Sequence, residues 1–226
     1  NLAAQGIQLS EARVIADNRT MIIETVQQIS TKYDLVFTSG GIGPTHDDIT
    51  TEAVAAAFKV SVIRHEEAER RLLEHYANTG LEFNAARQKM ADIPDTAVLI
   101  DNPLSAAPGF ILKNVYVLPG VPVILQAMFE QLRDRLPGGR KLTRITVQCS
   151  TGEGNIAIIL AGIESRHDGV SIGSYPWFKP GQFGTAVVVS GENLMTTIIA
   201  AEEVQTEVRR LGVNATILDA DDNVVQ

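Results

Sequence analysis

Asp47 and Asp48 are adjacent carboxylates near the end of a glycine-rich stretch, TSGGIGPTHDDIT, residues 38–50. Gly40, Gly41 and Gly43 suit a backbone that must approach an anion closely. A buried strand, a glycine loop and a helix start, in that order, let N–H groups converge where the first helical turn carries partial positive charge. The two carboxylates oppose such a ligand. A phosphate charge and a carboxylate about 5 Å apart, at an effective dielectric of about 20, repel by about 3 kcal/mol. A site holding both must separate them, protonate one, or bridge them with a cation; Mg2+ commonly joins phosphates to one or two carboxylates.

Two familiar phosphate loops do not fit. A Walker A loop needs Gly-Lys-Ser/Thr, which the chain lacks, and a dinucleotide fingerprint would need glycine where His46 stands. A simpler reading is that the glycines turn the chain and Asp48 caps the following helix. Asparagine keeps the capping oxygen, so on that reading Asp48→Asn leaves the fold nearly as stable. Two further stretches favour a pocket. NPLSAAPGF (102–110) and LPGVP (118–122) are rigid, small-residue loops beside expected strands. In an open parallel sheet, loops at the carboxyl ends of the strands form the crevice where ligands bind. Three such loops suit a flat, phosphorylated molecule.

The elements that hold these loops are legible as patterns. EARVIA (11–16) is expected as a short strand and DNRTMIIETVQQIS (17–30) as a helix. Asp17 or Asn18 would be its N-cap, with Ile22, Ile23, Val26 and Ile29 on one face. YDLVFTSGG is a continuous apolar run, as a buried parallel strand requires. TTEAVAAAF (50–58) is a helix with Ala53, Val54, Ala57 and Phe58 inward. HEEAERRLLEHYANTG is a polar helix stopped at Gly80, and NAARQKMA a shorter one. AVLIDN is a strand, GFILKNVYVLPG two strands around Lys113-Asn114, and residues 121–136 a helix with Pro122 in its first turn. Strands alternating with helices at this spacing imply an α/β domain, three layers deep, with a mainly parallel sheet.

PGGRK (137–141) marks a boundary between a first domain, residues 1–136, and a second, 142–212. The second reads as β-α-β-β-α, a small α+β unit in which VSIGSYPWF pairs with GTAVVVSG across a KPGQ turn. Residues 213–226 are expected to fray. The opening NLAAQGIQL reads as a helix end with Gly6 at its C-cap, so the first domain is expected to lack a strand, a loop and most of a helix that precede it.

Bulk properties exclude several classes. The 226 residues are 45% hydrophobic and 20% charged, ordinary for a soluble globular protein. A net charge of −8 argues against nucleic acid as partner, since phosphate backbones are bound by clustered Lys and Arg. Cys149, the single cysteine, excludes an internal disulfide and a cysteine zinc site, and its alternating context makes it a small buried hydrophobe. His65 and His75 share no third ligand. No apolar stretch approaches the roughly 20 residues of a membrane span, and no signal peptide is visible, so the cytoplasm is expected.

The stretches TSGGIGPTHDDITTEAVAAAF, NPLSAAPGF and VYVLPGVP together resemble the molybdopterin-binding domain of the MoaB/Mog superfamily. The resemblance is to the branch of competence/damage-inducible protein A (CinA), and the related domain of eukaryotic FAD synthases is also similar. It covers residues 1–136, and VSIGSYP extends it into the small second domain of CinA-like proteins. It implies a soluble, commonly oligomeric α/β domain whose glycine loop contacts a pterin or nucleotide phosphate. Carried onto this chain, the binding residues are Ser39, Gly40, Gly41, Gly43, Pro44, Thr45, Asp48, Asn102, Pro108, Gly109, Pro119, Gly120 and Pro122. Asp48 matches an aspartate of the family's glycine-loop motif. For some CinA-like members the family implies divalent-metal-dependent hydrolysis of a nucleotide pyrophosphate such as ADP-ribose or FAD, with Asp47 and Asp48 as candidate catalytic residues. In a molybdopterin binder, one aspartate would instead accept hydrogen bonds from the pterin's amino and ring N–H groups. A non-catalytic interaction module on the same fold is the third alternative. The family's Gly-Asp-Glu loop lies outside this sequence, and Ser105 stands where the family usually has glycine.

Overall fold

Asn18 starts the first helix because its Oδ1 accepts the Met21 N–H at 3.0 Å, satisfying a donor that no helical carbonyl can reach. In this computed structural model, which describes residues 2–139 and 142–218, the helix α1 spans Arg19–Lys32. Ile22 and Val26 are buried, with Ile23 and Ile29 packed beside them. Burying each such side chain contributes about 1.5–3 kcal/mol. The strand β1 follows at Val36–Ser39, then α2 at Thr50–Ala57, β2 at Val62–Arg64 and α3 at Glu66–Thr79. His65 caps α3 through Nδ1, and Gly80, at φ 69°, ends it. The short helix α4 (Ala85–Gln88) leads through a 3-10 turn, Lys89–Ala91, to β3 at Asp92–Pro94. The remaining elements are β4 (Val98–Ile100), β5 (Gly109–Leu112), β6 (Val115–Leu118) and α5 (Pro122–Leu132).

The main sheet has the order β1-β6-β5-β4. β1 and β6 pair in parallel from Val36↔Val115 to Ser39↔Leu118, as the apolar run around Val36 implies. β6, β5 and β4 are antiparallel neighbours; Lys113 and Asn114 allow only a tight turn between β5 and β6, and residues 101–108 return the chain from β4 to β5. The α/β class is as expected, and the sheet itself is mixed. Asn114 anchors this turn by donating to the Ser30 and Tyr33 carbonyls at 2.9 and 2.8 Å. Phe110, Leu112, Val115 and Val117 supply the sheet's side of the core, against Ala53, Val54 and Leu72 from the helices.

Residues 11–16 correct the sequence reading. They form no strand; Val14 is fully exposed. Instead Glu11 accepts from the Tyr33 hydroxyl at 2.5 Å and Lys32 Nζ at 3.1 Å, tying the segment to the end of α1, and from Arg13 Nε at 2.5 Å within the segment. These donors, Tyr33 foremost, pull the Glu11 carboxyl down to about 2. β2 and β3 form a two-stranded antiparallel ladder that periodicity could not reveal, since three residues carry no pattern.

A second compact unit takes residues 2–10 together with 138, 139 and 142–218, whereas the sequence reading put residues 2–10 in the first domain. Gly139 N–H donates to the Gln5 carbonyl at 2.9 Å, just after a 3-10 turn at Leu2–Gln5. The unit contains β7 (Thr143–Cys149), α6 (Ala157–Arg166), β8 (Val170–Lys179), β9 (Gln182–Gly191), α7 (Leu194–Arg210) and β10 (Ala215–Leu218). Its sheet is antiparallel throughout, in the order β10-β7-β9-β8. β8 and β9 form the expected hairpin, closed at Lys179↔Gln182. Residues 215–218, expected within a fraying tail, pair with β7; residues 219–226 lie outside the described residues. Cys149 is buried, and burial pushes its thiol up to about 11, so it serves as packing and not as a nucleophile.

Candidate functional site

The sheet register collects three loops at one edge. β1 and β6 both end there, at the pair Ser39↔Leu118. β4 ends and β5 begins at the same edge, at the pair Ile100↔Gly109. The glycine loop (40–49), residues 101–108 and residues 119–121 therefore leave the sheet together.

Two of these loops touch through glycine. Gly40 N–H donates to the Leu118 carbonyl at 3.0 Å, and a Cβ placed on Gly120 would lie 3.2 Å from Gly40 Cα. Gly40 and Gly41 hold φ of 100° and 70°, conformations that L side chains disfavour. Gly41 also packs against the start of α2: its carbonyl accepts Thr50 N–H at 2.9 Å, and a Cβ would fall 2.1 Å from Thr50 Oγ1. Gly109 serves packing, since a Cβ there would meet the Val117 carbonyl oxygen at 2.4 Å. Asn102 organises its own loop, donating to Ser105 Oγ at 2.7 Å and the Ala107 carbonyl at 2.9 Å while accepting from Leu104 and Ser105 N–H. The left-handed position in this loop is Ala106, at φ 59°, so serine at 105 meets no backbone demand for glycine.

Asp48 does not cap α2. The N-cap is Ile49, which makes no side-chain cap bond. The Asp48 carboxylate turns back into the glycine loop, where Oδ2 accepts Thr45 N–H at 2.9 Å and Thr45 Oγ1–H at 2.5 Å. Partial burial pushes its pKa upward, but these bonds and one from Gly43 N–H outweigh it, so the carboxyl sits below its ordinary range. Asp47 is also lowered, chiefly by the Thr45 hydroxyl, yet its side chain is 70% exposed beside a fully exposed His46. Opposite Asp48, Lys89 Nζ donates to the carbonyls of Thr45 at 3.0 Å and Asp48 at 2.8 Å. One cation thus clamps the loop that carries both aspartates.

Beside this clamp lies a cleft of about 110 Å³. It is lined by Ile42, Gly43 and Asp48 from the loop, Thr51 and Glu52 from α2, Val62 from β2, Lys89 and Met90, Asp92 and Ile93 from β3, and Pro108 and Phe110. Of the residues expected from sequence, Gly43, Asp48 and Pro108 line it. Ser39, Gly40, Gly41, Pro44, Thr45, Asp47, Asn102, Gly109, Pro119, Gly120 and Pro122 do not, although they build its loops or the same sheet edge. Lys89, Glu52 and Asp92 were missed. Glu52 could have been found, because the first turn of the expected α2 must adjoin the loop; Lys89 is 41 residues from Asp48 and carries no such signal. Pockets for drug-sized ligands measure roughly 300–1,000 Å³, so this cleft encloses only part of such a ligand and leaves the rest over the open loops.

The charges are differently committed. Asp92 pairs with Arg64 Nε at 2.6 Å. Glu52 has no hydrogen bond or ion pair among the described residues. Its place in the first turn of α2 favours a negative charge by about 0.3–1 kcal/mol. Among the described residues no three His, Cys, Asp or Glu side chains converge on a metal site. A Mg2+ ion held by one carboxylate and a ligand's phosphates needs fewer. No helix among them is long and apolar enough to cross a membrane.

Comparison with known proteins agrees with this architecture. Residues 1–138 match the family described as "Probable molybdopterin binding domain", and residues 141–215 match "FAD synthase, middle domain". A protein of Clostridium botulinum (strain Loch Maree / Type A3), named as competence-damage inducible, is 30% identical over 215 residues, which are 89% of this chain and 52% of that one. The chain thus spans about half the length of that relative. A protein of Archaeoglobus fulgidus is 32% identical over 180 residues, 80% of this chain and 75% of its own. The crystal structure of CinA from Thermoplasma acidophilum, titled as of unknown function, superposes with a TM-score of 0.54 at 32% identity, covering 59% of this chain and 81% of that one. The matched domain, its order before an FAD-synthase-like middle domain and the likeness to CinA agree, and the chain belongs to the molybdopterin-binding domain (MoaB/Mog) family in its CinA-like branch.

Proposed function

We propose that the chain binds a phosphorylated heterocycle, molybdopterin or a nucleotide, at the sheet edge where the three loops meet, in the service of molybdenum-cofactor metabolism. The Lys89 clamp is the observation that carries this reading. The conflict between an anion and two aspartates eases when Asp48 spends its charge on Thr45, Asp47 faces solvent, and an ammonium binds the Thr45 and Asp48 carbonyls of the same loop. A cytoplasmic homo-oligomer is the setting this reading assumes. Equilibrium titration with neopterin monophosphate, GMP, AMP and FMN, each with and without Mg2+ and a chelator, tests it. At least one should bind, and the phosphate-free analogue more weakly; no binding by any of them contradicts it.

A second reading, a nucleotide pyrophosphatase, is supported by the exposed Asp47 carboxylate beside the glycine loop, and the match of residues 141–215 to the FAD synthase middle domain makes FAD a substrate to try. On that reading Asp47 would hold a divalent ion against the ligand's phosphates. Water would attack one phosphorus and the bridging P–O bond would break, giving AMP and ribose 5-phosphate from ADP-ribose. Chromatography after incubation with ADP-ribose or FAD and Mg2+ separates the readings. A pure binder releases no product, and metal-dependent product that Asp47→Asn abolishes favours hydrolysis.

A further inference from the structure

We propose that Glu52 selects the heterocycle in this cleft by taking a ring edge that presents an amino group beside a ring N–H, with Lys89 facing the ligand's phosphate. The inference rests on the phosphorylated-ligand reading above and narrows it.

Three carboxylates line the cleft, and two are committed. Asp48 is held by Thr45, and Asp92 by Arg64. Glu52 lines the cleft with no partner among the described residues. An ionised carboxylate only accepts, and it accepts best from two parallel N–H donors. The 2-amino-4-oxo edge shared by pterins and guanine presents that pair. Adenine sets its amino group beside a ring acceptor, whose lone pair would face the second carboxylate oxygen. An isoalloxazine offers a single N–H between two carbonyls. Glu52 therefore favours the first edge and repels the others. Lys89 has three N–H donors, two of them given to the carbonyls of Thr45 and Asp48, which leaves one for an anion. Glu52 and Lys89 do not pair with each other, so neither charge is cancelled before a ligand arrives.

The test is the affinity of the intact chain and its Glu52→Gln variant for neopterin monophosphate, GMP, AMP and FMN, with Lys89→Gln compared on neopterin with and without its phosphate. Glutamine offers an acceptor next to a donor, which matches adenine. Glu52→Gln should therefore lose about tenfold or more on neopterin monophosphate and GMP while gaining on AMP. Its thermal midpoint should fall only by the few degrees that loss of a charge from the first turn of α2 costs, since no hydrogen bond or ion pair is lost. Lys89→Gln should narrow the advantage of phosphorylated over phosphate-free neopterin about fivefold or more. A Glu52→Gln protein that binds all four probes as wild type does, or a wild type that prefers AMP or FMN, overturns the inference and leaves the phosphate reading standing. Retention of the full phosphate advantage by Lys89→Gln overturns the role given to Lys89. Failure of wild type to bind any probe overturns the inference and the reading beneath it together.

Discussion

Gly41→Ala should destabilise the α/β unit by about 2–5 kcal/mol, read by urea unfolding followed by far-UV circular dichroism. Two costs add. At φ 70° an L side chain loses about 1–2 kcal/mol, and a Cβ 2.1 Å from Thr50 Oγ1 forces an overpacked contact worth about 1–3 kcal/mol. Thr50 cannot retreat freely, because it is buried and its N–H is bonded to the Gly41 carbonyl. The double variant Gly41→Ala/Thr50→Ala should recover the packing part and keep the backbone strain. Gly154→Ala, at a position with open space around it, should stay within about 0.5 kcal/mol of wild type. A wild-type midpoint for Gly41→Ala would mean that the glycine loop does not hold the conformation described.

Asp48→Ala should loosen the glycine loop and weaken every ligand alike, whereas a change at Glu52 should alter selectivity. Asp48 Oδ2 accepts two bonds from Thr45, and charge-assisted bonds contribute about 1.5–3 kcal/mol. Thr45 is exposed, so water competes and the loss should fall near or below the lower figure. Asp48→Asn should lose less, since an amide oxygen can take the same place; its NH2 would then oppose Gly43 N–H. The sign with pH follows from the depressed carboxyl. The unfolded chain binds the proton at higher pH than the folded chain, so the contribution is full above the ordinary aspartate range and is lost as pH falls through the folded value. Wild type minus Asp48→Asn stability, measured from neutral to acid pH, should therefore shrink in acid. A difference independent of pH would contradict the bonds assigned to Asp48.

Much of the fold was legible because long, periodic segments dictate their own structure. The apolar run around Val36 became the parallel strand, and the Ile22/Val26 stripe became the buried face of α1. Residues 11–16 are apolar enough for a strand, but Glu11 accepts from Lys32 and Tyr33 at the end of α1, which holds the segment there with Val14 in solvent. The ladder of β2 and β3 is too short for any pattern. The aspartates show a different limit. Asp48 lies two residues before the helix, so spacing permits both a cap and a loop closure, and only side-chain direction decides between them. Lys89 reaches the loop through tertiary packing, which no local motif encodes.

The glycine loop, residues 101–108 and residues 119–121 are proposed to form one ligand site with the Lys89 clamp. Backbone amide chemical shifts of the isotopically labelled chain, followed while neopterin monophosphate is titrated in, test it most directly. Saturable shifts should concentrate at residues 40–52, 89–92, 102–109 and 119–121, with those near residue 89 depending on the phosphate. Shifts confined to other parts of the chain, or none at saturating ligand, would contradict it.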